Sequence, residues 1–293
     1  MNAFTIKDLE NISGIKAHTI RIWEQRYSFL KPQRTGTNIR YYTGDELKTI
    51  LNISLLNKYG FKISLIDKLT EAQIQEKILS LSHVQAQQER TVNDLIQHLI
   101  DLDTDKLELL LTNYIQSKGI ERSITQLIFP FLERIGILWL TNHITPGQEH
   151  LVTNIIRQKL IAGIEAVSPH MQKETTVLLF LPESEHHELG LLFMHYLLKS
   201  RGIKVLYAGA NVPLKDVELI ANFKNPAFLY THLTAVSEKF NFEKFLINLH
   251  QRCANFNIII SGHLTQIYKK EIPPNITFKK SLSEVMDYIL TLQ

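Results

Sequence analysis

The chain has 293 residues, of which 44% are hydrophobic and 21% are charged, a composition typical of a globular protein with two or three domains. Its single cysteine, Cys253, excludes an internal disulfide and a metal site built from several thiolates. The first residues lack a signal-peptide pattern, and we expect no stretch long and apolar enough to span a membrane. The sequence therefore predicts a cytoplasmic protein without a membrane partner.

The net charge of +3 is unevenly distributed along the chain. Residues 1–70 carry 11 Lys and Arg against 6 Asp and Glu, a net charge of +5, and the remaining residues carry a net charge of −2. A basic segment on a nearly neutral body predicts a polyanionic partner for that segment alone.

Residues 4–70 begin with two predicted short helices. Apolar residues recur with helical spacing up to Gly14, and a second helix is predicted at about 17–26. Two short helices joined by a turn that contains glycine are typical of a helix-turn-helix, whose second helix enters the major groove of DNA. Arg21 and Arg26 on that helix would then project toward bases or phosphates.

A basic, turn-prone hairpin and a third helix follow. The hairpin contains Arg34 and leads into Arg40-Tyr41-Tyr42, and Thr43-Gly44-Asp45-Glu46 is a capping box that begins the helix. Together with Thr19–Tyr27, these residues resemble the winged-helix head of MerR-family transcription regulators.

The MerR resemblance implies a head that binds double-stranded DNA as a dimer. It assigns DNA contacts to the recognition helix and the wing, so the predicted DNA-binding residues are Arg21, Arg26, Arg34, Arg40 and Tyr41. We expect Trp23 and Tyr42 to lie in the core, and Glu24 to pair with a nearby arginine.

The middle of the chain is predicted to be helical. Residues 71–89 are polar and indicate a linker or a loosely packed helix, and helices are expected near 90–101, 104–118, 120–139 and 145–167. Four helices with short connections indicate a four-helix bundle.

One loop of this predicted bundle is flanked by a tryptophan and a Glu-His pair. Trp139 ends the third helix, and Glu149-His150 follows after nine residues in the first turn of the fourth. These side chains can face one side of the bundle and bind a ligand there. Alternatively, Glu149 caps its helix and His150 is an ordinary surface residue.

From Thr175 onward, predicted strands alternate with predicted helices. The strands are expected near 176–181, 203–208, 227–231, 257–261 and 276–279, and the helices near 188–201, 213–223, 237–252, 263–270 and 281–292. This alternation predicts a flavodoxin-like, doubly wound parallel sheet, in which ligands bind beyond the carboxyl ends of the strands. A Gly-x-Gly-x-x-Gly sequence is absent, which argues against NAD.

Three predicted strand ends carry distinctive residues, namely Glu185-x-His187-x-x-Gly190, Thr231-x-Leu233 and Ser261-Gly262. A neutral imidazole can ligate a transition metal, and a carboxylate behind it fixes the tautomer and raises the basicity of the ring. A nearby glycine lets a large ligand approach the backbone. A histidine near a helix start can also be a packing or surface residue.

These strand ends together resemble the cobalamin-binding module of methionine synthase and corrinoid proteins. In that module a helical bundle covers the upper face of the corrin, and a flavodoxin-like domain supplies the lower histidine. The resemblance implies that His187 ligates cobalt, that Glu185 stands behind it, and that Gly190 leaves room for the nucleotide tail. The residues implied to line the tail pocket are Thr231, Leu233, Ser261 and Gly262.

The spacing of Trp139, Glu149 and His150 resembles the bundle motif of MerR-type, cobalamin-dependent, light-responsive repressors of the CarH/LitR type. The resemblance then spans nearly the whole chain in three domains. They are a winged-helix head at 1–75, a helical bundle that covers the cofactor at 76–170, and a flavodoxin-like cobalamin-binding domain at 171–293. It implies a repressor rather than an enzyme, whose homo-oligomerisation and operator binding are controlled by adenosylcobalamin and light.

Two positions depart from the family pattern. Ser261 adds a side chain near the ligand tail where a glycine is usual, and Leu140 replaces a histidine that captures cobalt after photolysis in some members, a role open to His143. These departures leave open a MerR-type regulator whose C-terminal half lacks cobalamin and serves oligomerisation or protein interaction. A corrinoid enzyme subunit is disfavoured, because it has no use for a DNA-binding head and 293 residues leave no room for a substrate-binding barrel.

Overall fold

The computed structural model describes residues 3–169, 171–234 and 240–292. The chain divides into two compact units, Met1–Ile155 and Ile156–Gln293, and the division falls within one long helix. The three domain boundaries expected from the sequence therefore stay a prediction.

The first unit begins with the predicted helix-turn-helix and wing. Its elements are α1 (Ile6–Ser13), α2 (Ala17–Arg26), the hairpin of β1 (Gln33–Arg34) and β2 (Arg40–Tyr41), α3 (Gly44–Lys58) and α4 (Ile63–Ile66). Capping boxes begin α1 at Thr5 and α3 at Thr43, because each threonine exchanges hydrogen bonds with the acidic residue three positions later. Gly14 ends α1 with φ 77°, a left-handed conformation that glycine adopts without strain.

Helices form the rest of the first unit and extend into the segment expected to be polar linker. α5 (Glu71–Leu79) and the first residues of α6 (Val84–Ile100) occupy that segment, so a linker was the wrong alternative there. Ile78 and Ala86 are buried, which explains why this polar stretch folds as packed helix. The bundle continues with α7 (Thr104–Lys118), α8 (Ile120–Ser123), α9 (Phe129–Leu140) and α10 (Pro146–Ala166).

A π-helical turn at Ile124–Ile128 joins α8 to α9, so that one helix runs from Ile120 to Leu140. By length and composition alone this helix could cross a membrane, which corrects the expectation that no segment approaches that length. Its apolar residues Leu127, Phe131 and Leu138 are fully buried, as expected for a core helix of the bundle.

In the described part of the second unit, five strands form one parallel sheet. They are β3 (Thr176–Pro182), β4 (Lys204–Val212), β5 (Phe228–His232), β6 (Asn257–Ser261) and β7 (Ile276–Lys279), in the order β4-β3-β5-β6-β7. The helices of this unit are α11 (Leu189–Ser200), α12 (Leu214–Lys224), α13 (Phe242–Arg252), α14 (His263–Ile267) and α15 (Leu282–Thr291). The strand order is flavodoxin-like, and the predicted fold class is confirmed. The helix expected near 237–252 begins at Phe242, and its predicted residues 237–239 lie outside the described residues.

The sheet has its topological switch point between β3 and β5. The chain continues to one side of β3 to form β4 and later to the other side to form β5, so the connecting loops separate at the carboxyl ends of these strands. Doubly wound sheets bind their ligands in the crevice that this separation opens. Because β3 ends at Pro182 and β5 at His232, the Glu-x-His and Thr-x-Leu elements lie on the two sides of that crevice.

Candidate functional site

The turn after β3 carries a buried carboxylate that is bonded to an exposed imidazole. Glu185 is fully buried, whereas the side chain of His187 is 56% exposed. His187 Nδ1 lies 2.6 Å from Glu185 Oε1, and the backbone N–H of His187 donates to the same oxygen at 2.9 Å. A carboxylate on Nδ1 fixes the tautomer with the proton on Nδ1 and leaves Nε2 as the unprotonated nitrogen, which is the arrangement of a metal-ligating histidine.

The electrostatics of Glu185 suit this role. Burial raises the pKa of its carboxyl, but hydrogen bonds from the side chain and backbone of His187 together lower it by a larger amount. The pKa of Glu185 therefore lies below its ordinary value. The second carboxylate oxygen, Oε2, and Thr231 Oγ1 are both buried and have no hydrogen-bond partner among the described residues. Buried polar atoms in proteins are nearly always paired, so these two are candidate contacts for a polar ligand.

Glu188 anchors the other end of the same turn, although the sequence analysis did not single it out. Arg157 Nη2 lies 2.6 Å from Glu188 Oε2, and the hydroxyl of Tyr207 donates to Glu188 Oε1 at 3.2 Å. Burial and the nearby Glu188 carboxylate raise the pKa of Tyr207, so its hydroxyl stays protonated as a donor. The turn that carries His187 is therefore fixed to α10 and to β4.

The predicted tail-pocket residues converge at the ends of β5 and β6. Thr231 and Ser261 are buried, and the backbone N–H of Leu233 donates to the Ser261 carbonyl at 2.9 Å. A Cβ at Gly262 would lie 2.7 Å from the Leu233 carbonyl carbon, and Gly262 has φ 101°, so this position requires glycine. The structure brings these four residues together, and their contact with a ligand stays a prediction.

Two residues that the sequence analysis missed lie within this group. His232 Nδ1 is 2.7 Å from Ser261 Oγ, which is 2.6 Å from the hydroxyl oxygen of Tyr230. The His232 imidazole also packs on Gly190, where an added Cβ would lie 2.6 Å from His232 Nε2. Burial lowers the pKa of His232 to about 4, so the ring is neutral near pH 7. The sequence could have indicated His232, because it occupies the variable position x of the Thr231-x-Leu233 element.

The bundle residues flank the loop between α9 and α10, as predicted. Trp139 is 52% exposed at the end of α9, and in the first turn of α10 His150 Nε2 lies 3.5 Å from Glu149 Oε2. Leu140 and Leu151 are also exposed. Large apolar side chains grouped near the ends of two helices indicate a surface that a ligand or partner covers.

His143, which the sequence left open as a substitute for a histidine at position 140, has a different environment. Its ring is buried against Phe4 and Asp8 of the head. The described contacts therefore give His143 a structural role and leave no support for cobalt capture by this residue.

The predicted DNA-binding arginines differ in their surroundings. Arg21 and Arg26 are exposed on α2. In the wing, Arg34 Nη1 donates to Asn38 Oδ1 at 2.8 Å, and Arg40 Nε lies 3.3 Å from Glu24 Oε2. The first two arginines are therefore presented to solvent, whereas Arg40 also stabilises the wing.

The aromatic residues of the head divide between core and surface. Trp23 and Tyr42 are buried, and Tyr42 donates its hydroxyl hydrogen to Glu24, so the expected core positions and the pairing of Glu24 with an arginine are confirmed. The hydroxyl of Tyr41 donates to Gln33 Oε1 at 2.5 Å across the hairpin. Tyr41 therefore stiffens the wing, and its contact with DNA stays a prediction.

Comparisons with known proteins agree with both parts of this description. Residues 4–73 match the MerR HTH family regulatory proteins, and residues 91–162 match the B12 binding domain. Two relatives are the HTH-type transcriptional repressors CarA and CarH of Myxococcus xanthus, each 26% identical to this chain. The match covers 90% of this chain and 89% of CarA, and 85% of this chain and 84% of CarH.

A solved structure also resembles this chain. The Methanosarcina barkeri monomethylamine corrinoid protein aligns with a TM-score of 0.52 and 12% identity, covering 70% of this chain and 99% of that one. At this identity the likeness concerns the fold alone.

The residues around His187 fit a cobalamin better than those around Gly190 do. Around His187, an exposed imidazole with a carboxylate on Nδ1 is a suitable cobalt ligand, and the buried Glu185 Oε2 has no hydrogen-bond partner among the described residues. Around Gly190, the imidazole of His232 fills the volume that the glycine leaves. The residues around His187 therefore fit the group, whereas beside Gly190 the His232 imidazole occupies the space expected for the nucleotide tail.

Proposed function

We propose that this chain, which joins a MerR-type helix-turn-helix head to a B12-binding domain, is a DNA-binding transcriptional repressor controlled by adenosylcobalamin. The observation that carries the proposal is the Glu185–His187 pair at the switch point of the sheet, in a chain that also has exposed arginines on a helix-turn-helix. The combination matters because a corrinoid enzyme subunit would require the Glu185–His187 pair but no DNA-binding head. A MerR-type regulator with another effector would require the head but not the pair.

Each residue of the turn has a defined task in this proposal. When bound, adenosylcobalamin would supply a cobalt centre that accepts an imidazole ligand and a cobalt–carbon bond that light can break. His187 would ligate cobalt through Nε2, and Glu185 would hold the tautomer and raise the basicity of the ring. The contacts of Glu188 with Arg157 and Tyr207 would keep the turn in position, so that little ordering is needed on binding.

The exposed residues of the bundle would cover the upper face of the cofactor. Trp139 would contact the adenosyl group through its apolar ring, and Glu149, next to His150, would accept hydrogen bonds from the ribose or adenine. Because these contacts exist only while the adenosyl group is present, the group favours one arrangement of the bundle over another.

Control of DNA binding would then follow from assembly. An oligomer that holds two or more heads raises the effective concentration of the second head at a paired operator, and so raises the apparent affinity. We expect a homo-oligomer, a dimer or tetramer, in the dark with adenosylcobalamin, and a smaller species after green light. We expect this regulator to act in the cytoplasm.

The first experiment tests cofactor binding. Purified full-length protein is mixed with adenosylcobalamin in the dark and desalted, and its visible spectrum is recorded. We expect a retained spectrum with the cofactor's own base displaced by a histidine. Complete loss of colour on desalting would contradict the proposal and favour the cobalamin-free regulator, in which the C-terminal half serves oligomerisation or protein interaction.

The second experiment tests the light response. Size-exclusion chromatography with light scattering is run on apo, dark-loaded and illuminated protein, and binding is measured to a duplex selected by the protein from a random library. Equal masses and equal affinities in all three states would argue against light control, and would leave the outcome of the first experiment unaffected.

A further inference from the structure

The space beside Gly190 is occupied by a side chain of the protein itself. A Cβ built on Gly190 would lie 2.6 Å from His232 Nε2 and 2.9 Å from His232 Cγ, well inside van der Waals contact. The His232 imidazole therefore fills the volume that the glycine opens in the first turn of α11. This volume adjoins the crevice between β3 and β5, because Gly190 follows the turn after β3 and His232 ends β5.

A chain of hydrogen bonds holds His232 in this position. His232 Nδ1 is bonded to Ser261 Oγ at 2.7 Å, and Ser261 Oγ is bonded in turn to the Tyr230 hydroxyl at 2.6 Å. Ser261 and Tyr230 are 3% and 2% exposed, so both anchors lie in the interior of the sheet domain. A glycine in place of Ser261 would offer no hydroxyl, and His232 would lose its connection to the sheet.

One buried polar atom near His232 still lacks a partner. Glu185 Oε2 is fully buried and unpaired among the described residues, and the carboxylate of Glu185 is close enough to act electrostatically on His232. An unpaired buried polar group costs free energy unless a ligand or water satisfies it. Glu185 Oε2 is thus available to a polar ligand in the crevice, whereas the His232 imidazole fills the space beside Gly190.

We propose that His232 is a plug of the pocket for the nucleotide tail, which closes the pocket in the free protein and leaves it when a corrinoid with a tail binds. This inference rests on the proposed binding of cobalamin and adds to it a residue that discriminates between corrinoids. A corrinoid without a tail needs no opening of the pocket, so its affinity is independent of His232. A corrinoid with a tail binds only to the open fraction, and its affinity falls by that fraction.

The test compares two ligands on one set of full-length proteins in the dark. Adenosylcobalamin carries the tail and cobinamide lacks it, and binding of each is followed by visible absorption to obtain association rates and dissociation constants. His232→Ala removes the plug, and Ser261→Ala keeps the imidazole but removes its anchor. His250→Ala is the matched control, because His250 is also partly buried and bonded through Nδ1, to Asn275 Oδ1 at 2.6 Å.

We expect His232→Ala and Ser261→Ala to bind adenosylcobalamin about 10-fold more tightly and faster than the parent, since one or two modest hydrogen bonds no longer oppose opening. Cobinamide binding should stay at the parent value in both variants, and His250→Ala should match the parent for both ligands. Circular dichroism of each variant reports that the fold is kept.

The other outcomes separate the plug from the proposed function. If His232→Ala binds adenosylcobalamin as tightly as the parent does, or more weakly, His232 is not a plug. The proposed function still stands in that case, provided that the parent retains adenosylcobalamin. Binding by His232→Ala but not by the parent supports the plug and shows that the closed pocket silences this chain. If no protein of the set, His232→Ala included, binds either corrinoid, both the plug and the proposed function are overturned.

Discussion

His143 Nε2 lies 2.8 Å from Asp8 Oδ2, and both side chains are almost completely buried. Asp8 belongs to α1 of the helix-turn-helix head, where its carboxylate also accepts hydrogen bonds from the backbone and hydroxyl of Thr5. His143 belongs to the loop that joins Trp139 to Glu149. One pair thus ties the head to the loop between the residues predicted to cover the cofactor.

Replacement of His143 by alanine should loosen α1. The variant leaves the buried Asp8 carboxylate short of one partner, which costs about 1–3 kcal/mol. Because opening of the helix becomes easier by the same free energy, the amides of α1 should exchange about 5- to 150-fold faster in native-state hydrogen exchange.

Lys7→Ala is the control for this prediction, since Lys7 pairs with Glu10 at 3.0 Å on the exposed face of the same helix. An exposed pair contributes little, so exchange should change by less than about 5-fold. Parent-like exchange in the His143→Ala protein would contradict a stabilising role for the pair.

Substitution of His187 should weaken adenosylcobalamin binding more severely than substitution of Glu185. His187→Ala removes the proposed cobalt ligand and should abolish retention of adenosylcobalamin after desalting. Glu185→Gln keeps the shape but not the charge behind the ring, and should weaken binding by about 10- to 100-fold. His186→Ala, an exposed neighbour, should bind as the parent does. Equal retention by His187→Ala and the parent would refute the assignment of the ligand.

Alanine variants of the head arginines should distinguish recognition of DNA bases from contact with the DNA phosphate backbone. Arg21→Ala should cost about 1–3 kcal/mol and relax specificity at one base position if Arg21 reads a base. Arg34→Ala and Arg40→Ala should weaken binding to all duplexes and flatten the salt dependence by about one unit of slope. Lys224→Ala removes an exposed cation of α12 and serves as the control. Fluorescence anisotropy at several salt concentrations measures these effects, and parent-like binding by all three arginine variants would exclude the head as the DNA reader.

The partly buried imidazole of His232 should make stability depend on pH. The pKa of His232 is lowered to about 4 from an ordinary 6.5. Between these two values the imidazole is protonated in the unfolded chain and neutral in the folded chain, which favours unfolding. The stability is complete above pH 6.5 and declines as the pH falls toward 4, by about 3 kcal/mol in total. Urea unfolding at pH 7 and pH 4.5 should therefore show a smaller decline for His232→Asn than for the parent. An equal decline would indicate that His232 is already accessible to protons in the folded state.

The sequence alone determined the order and type of the elements. Helical spacing, the capping residues Thr43 and Thr145, and apolar runs such as Val177–Leu181 are local properties, so most helices and strands of the C-terminal half began and ended within a few residues of their predicted limits. The Glu185–His187 pair was also readable, because its two members are only two residues apart.

Only the tertiary structure decided which distant residues meet. His232 touches Gly190 across 42 positions of chain, and His143 meets Asp8 across 135, because strand register and helix packing, rather than spacing, fix those contacts. Register places His232 opposite Ser261 in the sheet, so a serine that the sequence indicated only as a departure from glycine becomes the anchor of an imidazole. Local patterns determine which elements form, and long-range packing determines whether a predicted pocket is open or already filled.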